Sequence, residues 1–284
     1  MRRGYTLIEI IITIAITGIL SVGMFKAFEA ITLRSEKAKI LSSLSIDSQS
    51  ALDQLSLLLY ARAPMSVQGC DITGTCVSLE TATNAKILQW YGTASESYQA
   101  RAYSGFVDMN QSIKPNIYTP NTFKTAIENN QTAKWGSFDV ANLGVKFAGT
   151  FEDGSTDEPY AIESISDNNI KLPVTTPATK IYEKYYLVDS AYAVTRKFDA
   201  PSCPLIDLTQ YKDNDLLLYY NYRPWKNPTT PETLCDGNVS LLSRNVNAFI
   251  AHQVNGTIRL GLDMEQNVSG SNNPVRLSKQ KVVF

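Results

Sequence analysis

Glu9 stands almost at the start of an apolar run, in MRRGYTLIEIIITIAITGIL. A carboxylate within a bilayer costs about 3 kcal/mol or more unless a cation or hydrogen-bond donors meet it, so its chemistry is that of a specific electrostatic contact. Four cysteines, Cys70, Cys76, Cys203 and Cys235, form an even set suited to two disulfides. Cys70 and Cys76 enclose Asp-Ile-Thr-Gly-Thr, with Gly74 able to turn the loop, and Cys203 and Cys235 bracket LLLYYNYRPW. Three pairings are open, and 70 with 76 and 203 with 235 is the preferred one. Zinc is not expected, because it needs two close-spaced pairs.

Other candidates carry less. His252 is the sole histidine, so any His-based general base must use it. It lies mid-strand in AFIAHQV, where a packed or sheet-facing imidazole is expected, and the chain is not read as an enzyme. The stretch Asp153-Gly-Ser-Thr-Asp157-Glu158 and the triplet Asp213-Asn214-Asp215 could offer oxygen ligands to calcium. Neither has EF-hand spacing, so they are read as solvated turn acids and no cofactor is expected. Tyr219, Tyr220, Tyr222 and Trp225 could form a sugar or partner surface, though alternating residues of a strand core explain most of the run. Arg276, Lys279 and Lys281 could attract a polyanion, and an exposed strand face is the simpler account. With 26 basic against 27 acidic residues in the whole chain, there is no broad basic field, and nucleic acid is not expected as a partner.

These side chains need elements to position them. At 284 residues and 44% hydrophobic, the chain has material for a sizeable core. Residues 10–25 are 16 uncharged positions, and with residues 5–8 they approach the ~20 a bilayer span requires. Arg2 and Arg3 would hold the tip in the cytoplasm and send the rest across. A signal peptide would end after its apolar core. Here KAFEAITLRSEKAKILSSLSIDSQSALDQLSLLLYARA continues without Gly or Pro until Pro64, so the spacing predicts one helix over residues 5–61, a rod of roughly 85 Å. Leu41, Leu44, Leu52, Leu55 and Leu59 are expected on one face, with Ser48 as a polar interruption.

Beyond Pro64 the pattern turns to strands. Short β-like runs at 87–91, 98–107 and 145–151 lie in an irregular insertion, rich in Ser, Thr, Asn and Gly, over about residues 65–178. Later runs are clearer: IYEKYYLVDSAYAVTRKF as one or two strands, LLLYYNYRPW as another, AFIAHQVNGTIRLGLDM as a hairpin turning at Asn255-Gly256, and VRLSKQKVVF as a last strand. The expected class is α+β, a long N-terminal helix packed on an antiparallel β-sheet domain.

The sextet Gly4-Tyr5-Thr6-Leu7-Ile8-Glu9 resembles the class III signal of type IV pilins and type II secretion pseudopilins: a basic leader ending in Gly, an aromatic residue, Glu fifth after the Gly, and an apolar helix. The resemblance implies cleavage by a membrane prepilin peptidase between Gly4 and Tyr5 and N-methylation of Tyr5. It also implies that Glu9 meets the N-terminal amine of a neighbouring subunit and sets axial register in a filament. The simpler role for Glu9 is snorkelling to the headgroups. Implied partners are the prepilin peptidase, other pilins or pseudopilins, an inner-membrane assembly platform and membrane lipid.

The expected organisation is a leader at 1–4, a transmembrane assembly helix at 5–31, its amphipathic continuation at 32–62 and a periplasmic β-rich domain at 63–284. Two features depart from common pilins. Gly18 and Gly23 stand where many members carry a helix-softening proline, and the chain is larger than a typical major subunit. Size, LDQLSLLLYARAP, YYLVDSAYAVTR and SLLSRNVNAFIAHQVNGTIRLGLDM resemble the larger minor pseudopilins of the J type and comparable minor pilins. K-type tip subunits usually lack the glutamate. The alternatives are an adhesive minor pilin and an uncleaved membrane-anchored periplasmic binding or sensor domain.

Overall fold

The computed structural model describes residues 6–72, 74–83, 85–94, 104–120, 124–148, 158–174, 181–227, 229–269 and 273–284. A single helix, α1 (Leu7–Tyr60), opens the chain and runs unbroken through Gly18 and Gly23 for 54 residues, about 80 Å. After it come β1 (Gln68–Cys70), β2 (Cys76–Ser78), β3 (Ile87–Thr93), β4 (Ser104–Phe106) and β5 (Asn116–Tyr118). Next are α2 (Lys124–Trp135), β6 (Gly144–Ala148), β7 (Tyr160–Ala161), β8 (Ser164–Ser166) and β9 (Asn169–Lys171). The chain closes with β10 (Lys184–Arg196), β11 (Leu216–Tyr222), β12 (Asn238–Ser243), β13 (Val246–Val254), β14 (Thr257–Gln266) and β15 (Val275–Val283). The class is α+β with antiparallel pairing throughout, the pilin-like arrangement expected.

β10 organises the molecule. Its sequence, KYYLVDSAYAVTR, alternates aromatic, β-branched and small residues that suit a pleated surface covered on both faces. Along its first part, Lys184 to Tyr186 pair with both β4 and β6. Farther on, residues 191–194 lie between β3 and β11. β12 extends this sheet at one side and β1 and β2 at the other. A second sheet, β13-β14-β15, is built on the hairpin at Asn255-Gly256, whose φ angles of +50° and +77° are those of a type I′ turn.

Three cores follow. The first lies under α1, where Leu44, Leu52, Leu55 and Leu59 meet Leu88, Trp90 and Val194 of the main sheet and Ile258, Leu260 and Leu262 of the second. The second lies across the main sheet, among Tyr91, Tyr219, Tyr222, Trp225, Cys70 and Cys203. The third fills the middle lobe, where Ile117, Ile127, Leu143, Phe147, Ile170 and Tyr185 pack together.

The middle lobe corrects the expectation of an irregular β insertion. α2 is a helix within it, ended by Gly136 at φ +81°, whose N–H donates to Thr132 O at 2.8 Å. Lys134 from α2 reaches Asp189 of β10 at 2.9 Å, a pair whose carboxylate is 2% exposed. The run expected at 98–107 is a strand only over Ser104–Phe106 among the described residues, and residues 95–103 lie outside them. Likewise the run at 145–151 is β6, ending at Ala148, with 149–151 outside the described residues. Leu41 is also corrected: it is half exposed, and Ile40 one position earlier packs on the core. The contact stripe is 40, 44, 48, 51, 52, 55 and 59, the drift of a 3.6-residue period.

Candidate functional site: the N-terminal helix

Glu9 lies in the first turn of α1, where its Oε2 accepts from the backbone N–H of Thr6 at 3.0 Å and from Thr6 Oγ1 at 2.9 Å. This is the reach-back half of a capping box, which Thr6 and Glu9 can form because they stand at N-cap and N3. A negative group here also meets the positive end of the helix dipole. One carboxylate oxygen is thus satisfied within the chain. No hydrogen bond or ion pair among the described residues engages the other.

Above Glu9, polar groups stay internal. Thr13 Oγ1 donates to Glu9 O at 2.6 Å, Thr17 to Thr13 O at 2.7 Å and Ser21 to Thr17 O at 2.7 Å. The four residues stand at i, i+4, i+8 and i+12, a polar line whose hydroxyls return to the helix's own carbonyls. Apart from Thr6, Lys26, Glu29 and Thr32, the rest of this half is apolar, and residues 6–32 are exposed without exception. α1 is long and apolar enough to cross a membrane. Gly4 and Tyr5, the expected cleavage and methylation sites, lie outside the described residues, with Arg2 and Arg3.

The second half of α1 is fixed to the domain by polar contacts as well as by its leucines. Lys279 Nζ donates to Ser45 O at 2.8 Å and to Ser45 Oγ at 3.0 Å, and Lys281 Nζ pairs with Asp53. That pair holds the Asp53 carboxyl below the usual carboxylate range, the hydrogen bond from Lys281 being the largest cause and that from Gln49 the next. Ser48, fully buried, donates to Ser45 O. The expectation of one exposed basic strand face is therefore corrected. Lys279 and Lys281 stand on the side of β15 that meets α1, while Arg276 stands on the other and pairs with Glu265 at 2.9 Å. Side chains alternate along a strand, so odd and even positions must part.

The structure closes Cys70–Cys76 and Cys203–Cys235. Tyr219, Tyr222 and Trp225 are buried, with Trp225 edge-on to Tyr91 at 5.9 Å, and Tyr220 is half-buried. Burial pushes the Tyr219 phenol up to about 12 and also raises those of Tyr222 and Tyr91. His252 is exposed on the outer face of β13, level with Arg259 of β14, so it is sheet-facing but not packed. Asp215 is a buried turn residue whose Oδ2 accepts from Lys212 N at 3.0 Å, and Asp213 is largely exposed, 3.9 Å from Lys197. Asp153 and Asp157 lie outside the described residues. Among the described residues, no group of three His, Cys, Asp or Glu could hold a metal ion.

Sequence reasoning missed the buried pair Lys134–Asp189 and the Arg223 guanidinium, which lies 5.4 Å from the Trp135 ring centre and donates to Asn142 O and Asn221 Oδ1. The available signal was Trp135-Gly136, an apolar helix end followed by a residue suited to a left-handed cap. No curated protein and no solved structure matches the chain. Residues 1–25 match the prokaryotic N-terminal methylation motif, which supports a type IV pilin-like class III signal at this end of α1.

Proposed function

We propose that the chain is a minor subunit of a type IV pilin-like filament, a minor pseudopilin of the J type or a large minor pilin, with a structural rather than catalytic role. Prepilin peptidase cuts between Gly4 and Tyr5 and Tyr5 is methylated. The span within residues 5–31 crosses the inner membrane with the tip cytoplasmic, residues 32–62 carry the helix to its domain, and residues 63–284 lie in the periplasm. The filament assembles on an inner-membrane platform, and each subunit leaves lipid as it enters.

The observation that carries this reading is the continuity of the methylation motif at residues 1–25 with a helix whose first half is wholly exposed and whose second half is clamped to the domain. A half-helix with no partner in its own chain suits lipid first and neighbouring subunits afterwards. Cleavage removes residues 1–4 and leaves a positive amine on Tyr5. Glu9 keeps one oxygen on Thr6 and offers the other to the amine of an adjacent subunit, so its cost in lipid becomes a drive toward the correct axial register. Leucine offers that amine no acceptor. Glu9→Leu is therefore expected to insert into the membrane as the wild type does but to be absent from sheared filaments, read by immunoblot of both fractions. Entry into filaments at the wild-type level would remove the register role.

A further inference from the structure

Between the two disulfides lies a cavity of about 510 Å³. Cys70, Cys76 and Cys235 line it, so both cross-links hold its rim. Its walls are apolar, from Ile72, Ile87, Pro201, Pro224 and Leu234. Its floor is polar and built. Tyr222 Oη donates to Gln89 Oε1 at 3.1 Å, and Gln89 Nε2 donates to Gln68 Oε1 at 3.4 Å. Gln68 is 3% exposed and Tyr222 is 1% exposed. Tyr91, 1% exposed, is not among the lining residues.

Charge at this site has one sign. The carboxylates lining it are Glu158 and Glu232, with no Lys, Arg or His among the lining residues. Glu232 is partly committed, since its Oε2 accepts from Arg223 N at 2.7 Å and Lys226 stands 3.7 Å from Oε1. Glu158 is exposed and makes no hydrogen bond or ion pair among the described residues, so its carboxylate is uncommitted at the cavity. A rigid apolar shaft with a polar floor and a negative rim rejects anions and accepts a cationic head on an aliphatic stem. The Tyr222 hydroxyl oxygen and the Gln68 and Gln89 carboxamide oxygens, all in the lining, supply acceptors for an ammonium's three donors.

We infer that this cavity binds an alkylammonium or guanidinium group, either as a Lys or Arg side chain of another polypeptide or as a free amine. The two disulfides constrain the protein around the site, so little of the ordering cost of binding falls on the protein. The inference goes beyond the filament reading and does not depend on cleavage at Gly4.

The test uses the full-length protein in detergent micelles and calorimetric titration with three probes: Nα-acetyl-lysine methylamide, cadaverine and Nα-acetyl-norleucine methylamide, which keeps the stem and lacks the charge. Saturable binding of either amine, at least about tenfold tighter than the norleucine compound, is expected. A stronger response to the lysine amide assigns a polypeptide side chain, and a stronger response to cadaverine assigns a free amine. Glu158→Gln, at an exposed position, is expected to weaken the preferred amine about tenfold, a difference of about 1.4 kcal/mol. Equal binding of the norleucine compound, an unchanged affinity in Glu158→Gln, or no saturable binding of either amine overturns the assignment.

Discussion

The two halves of α1 share one unbroken backbone and serve opposite ends. From residue 6 to residue 32 every side chain is exposed, although most are apolar. From Ile40 to Leu59 one stripe of apolar residues is buried on two sheets and flanked by Lys279 and Lys281, while Leu41, Ile46 and Leu57 stay outside it. Helix continuity therefore says nothing about what an apolar residue is for. A stripe with polar flanks is completed by its own chain, whereas a segment apolar all round needs surroundings from outside. On the proposed reading those surroundings are lipid and then neighbouring helices.

This contrast can be broken most strongly from the packed half. Leu55 is fully buried between the sheets, so Leu55→Ala is expected to cost about 2–5 kcal/mol of domain stability, from reduced burial and the cavity left behind. Chemical denaturation in micelles, followed by tryptophan fluorescence, checks it. A loss below about 1 kcal/mol would mean that the helix rests on its sheets without being part of the core.

The core across the sheet from α1 sharpens the comparison through pH. Tyr91, Tyr219 and Tyr222 all have phenols raised by burial, Tyr219 to about 12. Their folded pKa values exceed the unfolded value near 10, so their contribution is complete below about pH 10 and is lost as the pH climbs above it. Alkaline titration at 295 nm should show exposed tyrosines ionising first and these three only as the domain unfolds. The exposed half of α1 should keep its helical circular dichroism through that transition.

A smaller effect lies at the clamp. Asp53 has a lowered carboxyl pKa because Lys281 bonds to it, so its contribution is present above about pH 4 and fades as the pH falls through the lowered value. Lys281→Ala is expected to return the Asp53 pKa toward its ordinary value in an NMR titration while the fold persists. Ile12→Ala, in the exposed half, should leave domain stability within about 0.5 kcal/mol of wild type, because Ile12 is exposed and belongs to no core among the described residues.

Which parts of this were legible follows from how local their causes are. The helix, the Asn255-Gly256 hairpin and the long β10 each announce themselves within about twenty residues, through unbroken periodicity, a turn dipeptide, or dense aromatic and β-branched composition. Glu9 was legible because a charge in an apolar run is conspicuous by itself. The middle lobe was not, because β5, β8 and β9 are three residues each and exist only through pairing with one another. The split of Lys279 and Lys281 from Arg276 was equally hidden. Alternation says that they part, but only the packed sheet says which side faces α1.

The account rests on processing at the N-terminus, and intact-mass and N-terminal peptide spectrometry of the protein from its native membrane tests that directly. The predicted result is a chain that begins at methylated Tyr5. A chain that keeps residues 1–4 in cells with an active prepilin peptidase would contradict it, and α1 would then be a plain anchor for a periplasmic domain.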